Sequence, residues 1–546
     1  AETVLPNVEV ETDKTINYTE TYKVDKSSSS KVVQDLVDTP QTISVITKKV
    51  MEEQQATTLV EALRNTPGIT LNLGENGNTN SKDNINMRGF DAQGSIYKDG
   101  IRDLANSSKD TFNTEAVEVT KGAVGADNGR GVSSGYINQV TKSATNKDEV
   151  AGTVGYSTAE NARLTADLNK KLNETTGVRL NVMKQKGDVS GRDEVEIDRT
   201  GIAGSVAFGI GTATRTTINY EHTEQDDVPD GGIPTVGLDG STQKADTSKF
   251  YGSVSDFEEA QTDAFTLKFE QDISDKTMFT NTARYAKTRQ EMLLTSPSNF
   301  STTTNTVTRS MHARWQENEI LTNQSNFTTQ IQTGMLLHKI STGIELTKES
   351  QLTKNYTAQT AQTSNLYNPT SISWDDLSLS GQKSDGETTT VGAYLFDSIN
   401  IGEKVIFTGG GRFDKYDTTN DVVSSTLVPS TIEDKGHLNS YKAGLVYKPV
   451  DNGSVYISRA TTQLPPGGAN FTLSATTTNA NNPDMEPQKS TTDEVGTKWD
   501  LLNNRLSLTS AIYKTVVENE TMTEADGTTS QNGEKEVKGI EFGIVG

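Results

Sequence analysis

The stretch "VRLNVMKQK" puts Val178, Leu180 and Val182 on one face of an extended chain and Arg179, Asn181 and Met183 on the other. The same period of two recurs in "RTTINYEH", where Ile218 and Tyr220 oppose Arg215, Thr217, Asn219 and Glu221. In "RLSLTSAIYK", Leu506, Leu508 and Ile512 oppose Arg505, Ser507, Thr509 and Tyr513. Such segments, each roughly 9–14 residues long, follow one another from residue 146 to the end, and predict a sheet with one greasy and one wet face. Their connections alternate between tight turns ("QDISDK", "YKPVDNGS", "DLLNNR") and long polar loops at 226–260, 294–305, 351–386, 418–437, 462–490 and 520–535. Short turns on one side and long loops on the other are what an outer-membrane β-barrel shows. A soluble β-sandwich is the alternative, with shorter strands and no such rule for its loops. No run of about 18 apolar residues exists, which excludes transmembrane helices but not a barrel.

Before residue 146 the texture differs. Residues 1–38 are polar, with a serine run at Ser27–Ser30, and read as a mobile leader. From 39 to 145 the chain reads as a small α/β domain. "TPQTISVITKKV" is a strand running into a helix start, and "TTLVEALRNTPG" is a short helix with a Thr58–Glu61 capping box and a Pro67-Gly68 stop. "INMRGF", "SIYKDGIRD", "VEVTKGAVG" and "YINQVTK" are short strands with glycine turns.

The 546 residues carry a net charge of −22, which argues against a nucleic-acid partner. They contain no cysteine and four histidines without ligand-like spacing, so no built-in zinc site is predicted. No catalytic constellation is present. The start at Ala1, directly in polar sequence, is expected to follow removal of a signal peptide. About 16 or 17 barrel strands are counted, the last ending at Gly546 in mid-pattern, so the sequence is expected to be part of a longer protein.

In order, "TPQTISVIT", "LVEALRNTPGI", "RGF", "IYKDGIRD", "VEVTKG" and "GYINQVTK" resemble the plug domain of TonB-dependent outer-membrane receptors. In that family the plug sits inside a barrel of 22 strands. "DEVGTKW" and "KGIEFGI" resemble two late barrel strands of the same receptors. "RGFDAQGSIYKDGIRD", "DNGRGVSSGYIN", "EQDDVPDGGIPTVGL" and "QLPPGGANFTLS" are similar to the catecholate siderophore receptors of the Fiu and PiuA type. The chain departs at Ala123, where the family has proline, and at its C-terminus, which lacks the family's terminal aromatic strand.

The resemblance implies a flexible leader with a TonB box (1–38), a plug (39–145) and a mainly β transmembrane barrel (146–546) in the outer membrane of a Gram-negative bacterium. It implies energy-coupled uptake of ferric catecholates and of catechol-conjugated antibiotics, with no enzymatic activity and no cofactor, since iron(III) arrives in the cargo. Implied partners are TonB with ExbB–ExbD, outer-membrane lipid and lipopolysaccharide; the receptor is expected to be a monomer. Haem or a non-catechol siderophore is the alternative cargo, and a passive porin the alternative class.

By the same resemblance, Arg88 and Lys121 pair with Glu494 and Glu541 on the barrel wall. Taken from residues alone, these four are also compatible with solvated surface charges. The TonB box falls on Glu2, Thr3, Val4, Leu5 and Pro6, or else on Val8–Thr12, where an extended segment can add as a strand to a partner's sheet. Outward plug loops are expected near Gly74–Asn80, Asp91–Ser95, Ala105–Lys109 and Ala126–Ser134. An anionic, aromatic ferric catecholate needs cations, aromatic faces and hydrogen-bond donors. Arg130 leads the candidates, followed by Gln93 with Gly94 and Ser95, and by Asn128. Among the loop aromatics Phe250, Tyr251, Trp374 and Phe471, we single out Tyr251 and Trp374. Asp226, Asp227 and Asp230 read as turn formers or a divalent-cation site. Trp499 and Tyr513 belong to the aromatic girdles or to the lumen.

Overall fold

Thr58 and Glu61 exchange hydrogen bonds between side chain and backbone at 3.2 and 3.3 Å, and this capping box opens the helix Leu59–Leu63. A computed structural model describes this and the rest of residues 16–72, 83–131, 134–240, 242–375, 377–468, 471–477, 479, 481–523 and 529–546. The helix buries Leu59, Ala62 and Leu63 against Ile85, Met87, Val117, Val119 and Ile137. Each large apolar side chain so buried contributes about 1.5–3 kcal/mol.

The sheet beneath has five strands in the order Ile43–Thr47, Thr114–Lys121, Gly135–Thr141, Ile96–Lys98 and Ile101–Arg102. Only the pairing of Gly135–Thr141 with Ile96–Lys98 is parallel. Gly135 sits at φ +123, and a Cβ there would lie 2.0 Å from the Thr120 carbonyl oxygen across the pair. Gly135→Ala is therefore expected to destabilise the plug by at least about 2 kcal/mol, read as lost hydrogen-exchange protection of Thr114–Lys121 in the full chain.

Around this domain runs a barrel of seventeen strands, from Glu149–Tyr156 to Thr529–Val545, ordered as a closed wall. The order closes through the first and last strands, and every residue of Glu149–Tyr156 is exposed. The alternation runs as the sequence implies, with polar side chains inside. In Thr176–Asp188, Arg179 and Asn181 are buried while Leu180 faces out. Leu168, Ile202, Phe265, Leu321, Ile344, Leu395, Ile457, Val495, Ile512 and Ile540 are likewise exposed, which a lipid belt accounts for. No described helix is long and apolar enough to cross a membrane.

Two expectations change. The segments 294–305 and 418–437 are largely not loops: the strands Thr277–Ser301, Thr306–Thr333, Val405–Val423 and Pro429–Val450 run on through them. Their Ser and Thr residues keep extended pairing far beyond the roughly 25 Å of a membrane's apolar band. The leader also differs, since residues 16–38 are packed and not free. Tyr18 is buried, and Val24, Val32 and Leu36 pack with it against Ile43, Val45 and Ala116. These apolar residues are spaced without a period and find their face only on the plug.

The leader's end is pinned at the short-turn end of the barrel. Lys498 donates to the carbonyls of Leu36, Thr39 and Gln41 at 2.6–2.7 Å. Lys448 pairs with Asp38 at 2.8 Å, and the Ser454 hydroxyl donates to the Val37 carbonyl.

Candidate functional site

Arg88 stands at φ +51, a strained conformation for a residue with a side chain, held by its amide donating to the Gly68 carbonyl at 2.8 Å. From there its guanidinium reaches two wall glutamates, Glu494 at 2.8 Å and Glu541 through two bonds at 3.1 Å. Lys121 joins Glu541 at 3.0 Å and donates to the Pro67 carbonyl at 2.5 Å. Glu494 also accepts from the Tyr456 hydroxyl at 2.6 Å and from the Thr42 amide and hydroxyl. The Tyr513 ring lies 3.8 Å under Arg88, which puts that residue in the lumen. Trp499 is on the outer face, next to a short turn, with its indole donating to Thr497. The four expected partners thus meet in one buried cluster, with Arg88 only 1% exposed.

A second cluster lies higher, at the apex helix Gly125–Asn128. Arg130, which follows it, is buried. It bonds Glu349 on the wall and the Gly468 carbonyl at 3.1 Å, beneath the ring of Phe471 at 5.1 Å. Arg102 reaches the same Glu349 at 3.3 Å and holds the Gly94 carbonyl at 3.1 Å. Beside them, Arg412 pairs with Asp414 at 2.7 Å and Glu345 at 3.2 Å. The cavity these residues share with Tyr97 and Asn128 is about 30 Å³. At roughly 10–15 Å³ per water it admits two or three waters and no cargo. Burial pushes the Tyr97 hydroxyl up to about 12, so it stays protonated.

The other candidates fall as follows. Gln93 is exposed on the turn Gln93–Ser95, Gly94 is half-buried and Ser95 buried. Asn128 lines the cavity, and its Nδ2 has no protein partner. Tyr251 and Trp374 are not open to a ligand. Each is buried among the long loops, with the Tyr251 hydroxyl on the Leu366 carbonyl at 2.6 Å and the Trp374 indole on Thr295 at 2.8 Å. Large rings in polar loops form the loops' own small core. Asp227 and Asp230 pair with Arg199 and Arg192, each at 2.7 Å, and no described group of residues could hold a metal ion. Asp230 also accepts from the Gly232 amide, as a turn former does. The segments Glu2–Pro6, Val8–Thr12 and Gly74–Asn80 lie outside the described residues. Sequence reading missed Glu349, Arg102 and Glu118, because Glu349 and Arg102 meet across the plug–wall gap and Glu118 gains its partners from the docked leader.

The leader reaches the plug sheet and the apex helix. Ser27 and Ser28 hydrogen-bond the buried Glu118 carboxylate at 2.7–3.0 Å. Burial pushes that carboxyl up, against the lowering effect of these bonds. Lys31 donates to the Asp127 carbonyl of the apex helix, and burial pushes its ammonium down to about 8. The docked leader therefore favours the neutral amine more than the free leader does. Docking is weakest below pH 8 and strengthens as pH rises from about 8 toward 10.5. Proteolysis of the leader in the full receptor is expected to slow across that window, and Lys31→Met to remove the dependence.

The family model described as "TonB dependent receptor-like, beta-barrel" matches residues 201–546, and "TonB-dependent Receptor Plug Domain" matches residues 35–136. The chain belongs to the TonB-dependent receptors. This receptor is 40% identical to the catecholate siderophore receptor Fiu of Escherichia coli K12, across 96% of this chain and 75% of that protein. It is 34% identical to the probable TonB-dependent siderophore receptor PiuA of Acinetobacter baumannii, over the same shares. The crystal structure of the ferric-catecholate import receptor Fiu in its closed form superposes with a TM-score of 0.91, covering 96% of this chain and 80% of that one.

Proposed function

We propose that this receptor sits in the Gram-negative outer membrane and takes up ferric catecholate siderophores by energy-coupled displacement of its plug. The observation that carries the cargo is the paired plug arginines under an aromatic ring, Arg102 and Arg130 beneath Phe471. They sit in a chain 40% identical to a catecholate siderophore receptor. A flat, anionic ligand is matched by guanidiniums and a ring face. Cargo arriving at the long-loop end displaces the apex, and the leader loses Asp127 as an anchor for Lys31. TonB, driven through ExbB–ExbD, then takes the leader by strand addition. The iron is cargo, so no resident cofactor and no enzymatic step is required. We further propose a monomer surrounded by lipid and lipopolysaccharide, divided into leader, plug and barrel at about residues 38 and 145, and open to catechol-conjugated antibiotics. A porin reading is disfavoured by a plug domain tied to the barrel wall through Arg88, Lys121 and Arg130.

The test is growth of an iron-starved receptor-null strain carrying the receptor and fed simple ferric catechols. Rescue is expected to require TonB and to fall at least tenfold with Arg130→Ala, the loss of about two charge-assisted hydrogen bonds. Rescue without TonB would leave a porin. Rescue only by another iron carrier would overturn the cargo.

A further inference from the structure

Glu349 is a wall residue, yet its carboxylate is engaged inside the apex site. One oxygen takes Arg102 and the other takes Arg130. The Phe471 ring lies 5.9 Å from the first guanidinium and 5.1 Å from the second. A planar anion with two oxygens, bridging two guanidiniums beside an aromatic face, is the arrangement a catecholate would take for itself. The Glu349 side chain is 4% exposed, and the cavity next to it has no space for a second anion. The neighbouring cation cannot substitute, because Arg412 already has Asp414 and Glu345. Asn128 Nδ2, buried without a protein partner on the same cavity, adds a donor that Glu349 does not use.

We propose that Glu349 is a built-in competitor of the cargo, holding Arg102 and Arg130 in the empty receptor and yielding them only to a stronger anion. This rests on the catecholate reading above. Bound cargo replaces one planar anion by another at the two guanidiniums and leaves the buried Glu349 carboxylate without its cations, a cost that a weak anion does not meet. The cycle closes when the plug returns, because Glu349 on the wall then reclaims both plug arginines. A purely structural Glu349, one that merely anchors plug to wall, predicts the opposite sign. Its removal would loosen the apex and weaken binding.

The test is equilibrium binding of ferric tris-catecholate, iron(III) with three equivalents of plain catechol, to the purified full receptor in detergent, followed by tryptophan fluorescence. Glu349→Gln keeps the shape and removes the charge. It is expected to bind about tenfold more tightly, the worth of one charge-assisted hydrogen bond no longer broken. Glu349→Asp keeps the charge on a shorter arm that cannot span both guanidiniums, and is expected to tighten binding about threefold. It also preserves the test should Glu349→Gln fail to fold. The double variant Arg130→Ala/Glu349→Gln is expected to lose the gain. Equal or weaker binding by both Glu349 variants, with the unsubstituted receptor still binding, would overturn the competitor and leave the cargo reading intact. Absence of binding by the unsubstituted receptor would overturn both.

Discussion

Arg88→Met is expected to lower the stability of the docked plug by about 3–5 kcal/mol. Methionine replaces the bulk but none of the charge. Glu494 would retain Tyr456 and Thr42, and Glu541 would retain Lys121, yet two carboxylates would share one ammonium in a buried site. The strained backbone at Arg88 would persist without the contacts that hold it there. Arg88→Lys keeps the charge but lacks the fork that spans Glu494 and Glu541 together, and is expected to lose about half as much. Lys121→Met removes a single carboxylate bond and should cost less again. Thermal unfolding of the purified receptor, with hydrogen exchange read on the plug, orders the three. An Arg88→Met loss below about 1 kcal/mol would mean that the cluster is solvated and contributes like a surface pair.

Lys498→Met should release the leader without unfolding the plug. The ammonium is the shared donor to three carbonyls, of Leu36, Thr39 and Gln41, where the chain passes from leader to plug. Its loss strands buried acceptors at about 1–3 kcal/mol each. The effect is expected to total about 3 kcal/mol or more, since the Lys448 and Ser454 contacts persist. Limited proteolysis should then cut residues 16–38 at least tenfold faster while the plug core stays protected. Unchanged cleavage would place the leader's anchorage on Glu118 and Lys31 instead.

Much of this was legible in the sequence, for reasons that differ from site to site. The Thr58–Glu61 box and the barrel alternation are local signals, with periods a few residues long. Arg88, Lys121, Glu494 and Glu541 lie up to 453 residues apart, so only the resemblance brought them together. Leader docking was illegible because Tyr18, Val24 and Val32 carry no periodicity and depend on a face formed elsewhere. Glu349 was hidden as one polar position among many on an inward strand face. Tyr251 and Trp374 misled because a ring in a polar loop looks the same whether it serves a ligand or a loop's own core.

The size of the apex cavity has a meaning for the whole cell. A barrel of this girth without its plug is a wide water-filled hole, open to detergents, dyes and bulky antibiotics. At about 30 Å³, the space left beside Arg130 and Glu349 holds only two or three waters. The ion pairs that dock the plug are thus part of the permeability barrier, and a variant that loosens them endangers its host by leakage before it starves it of iron.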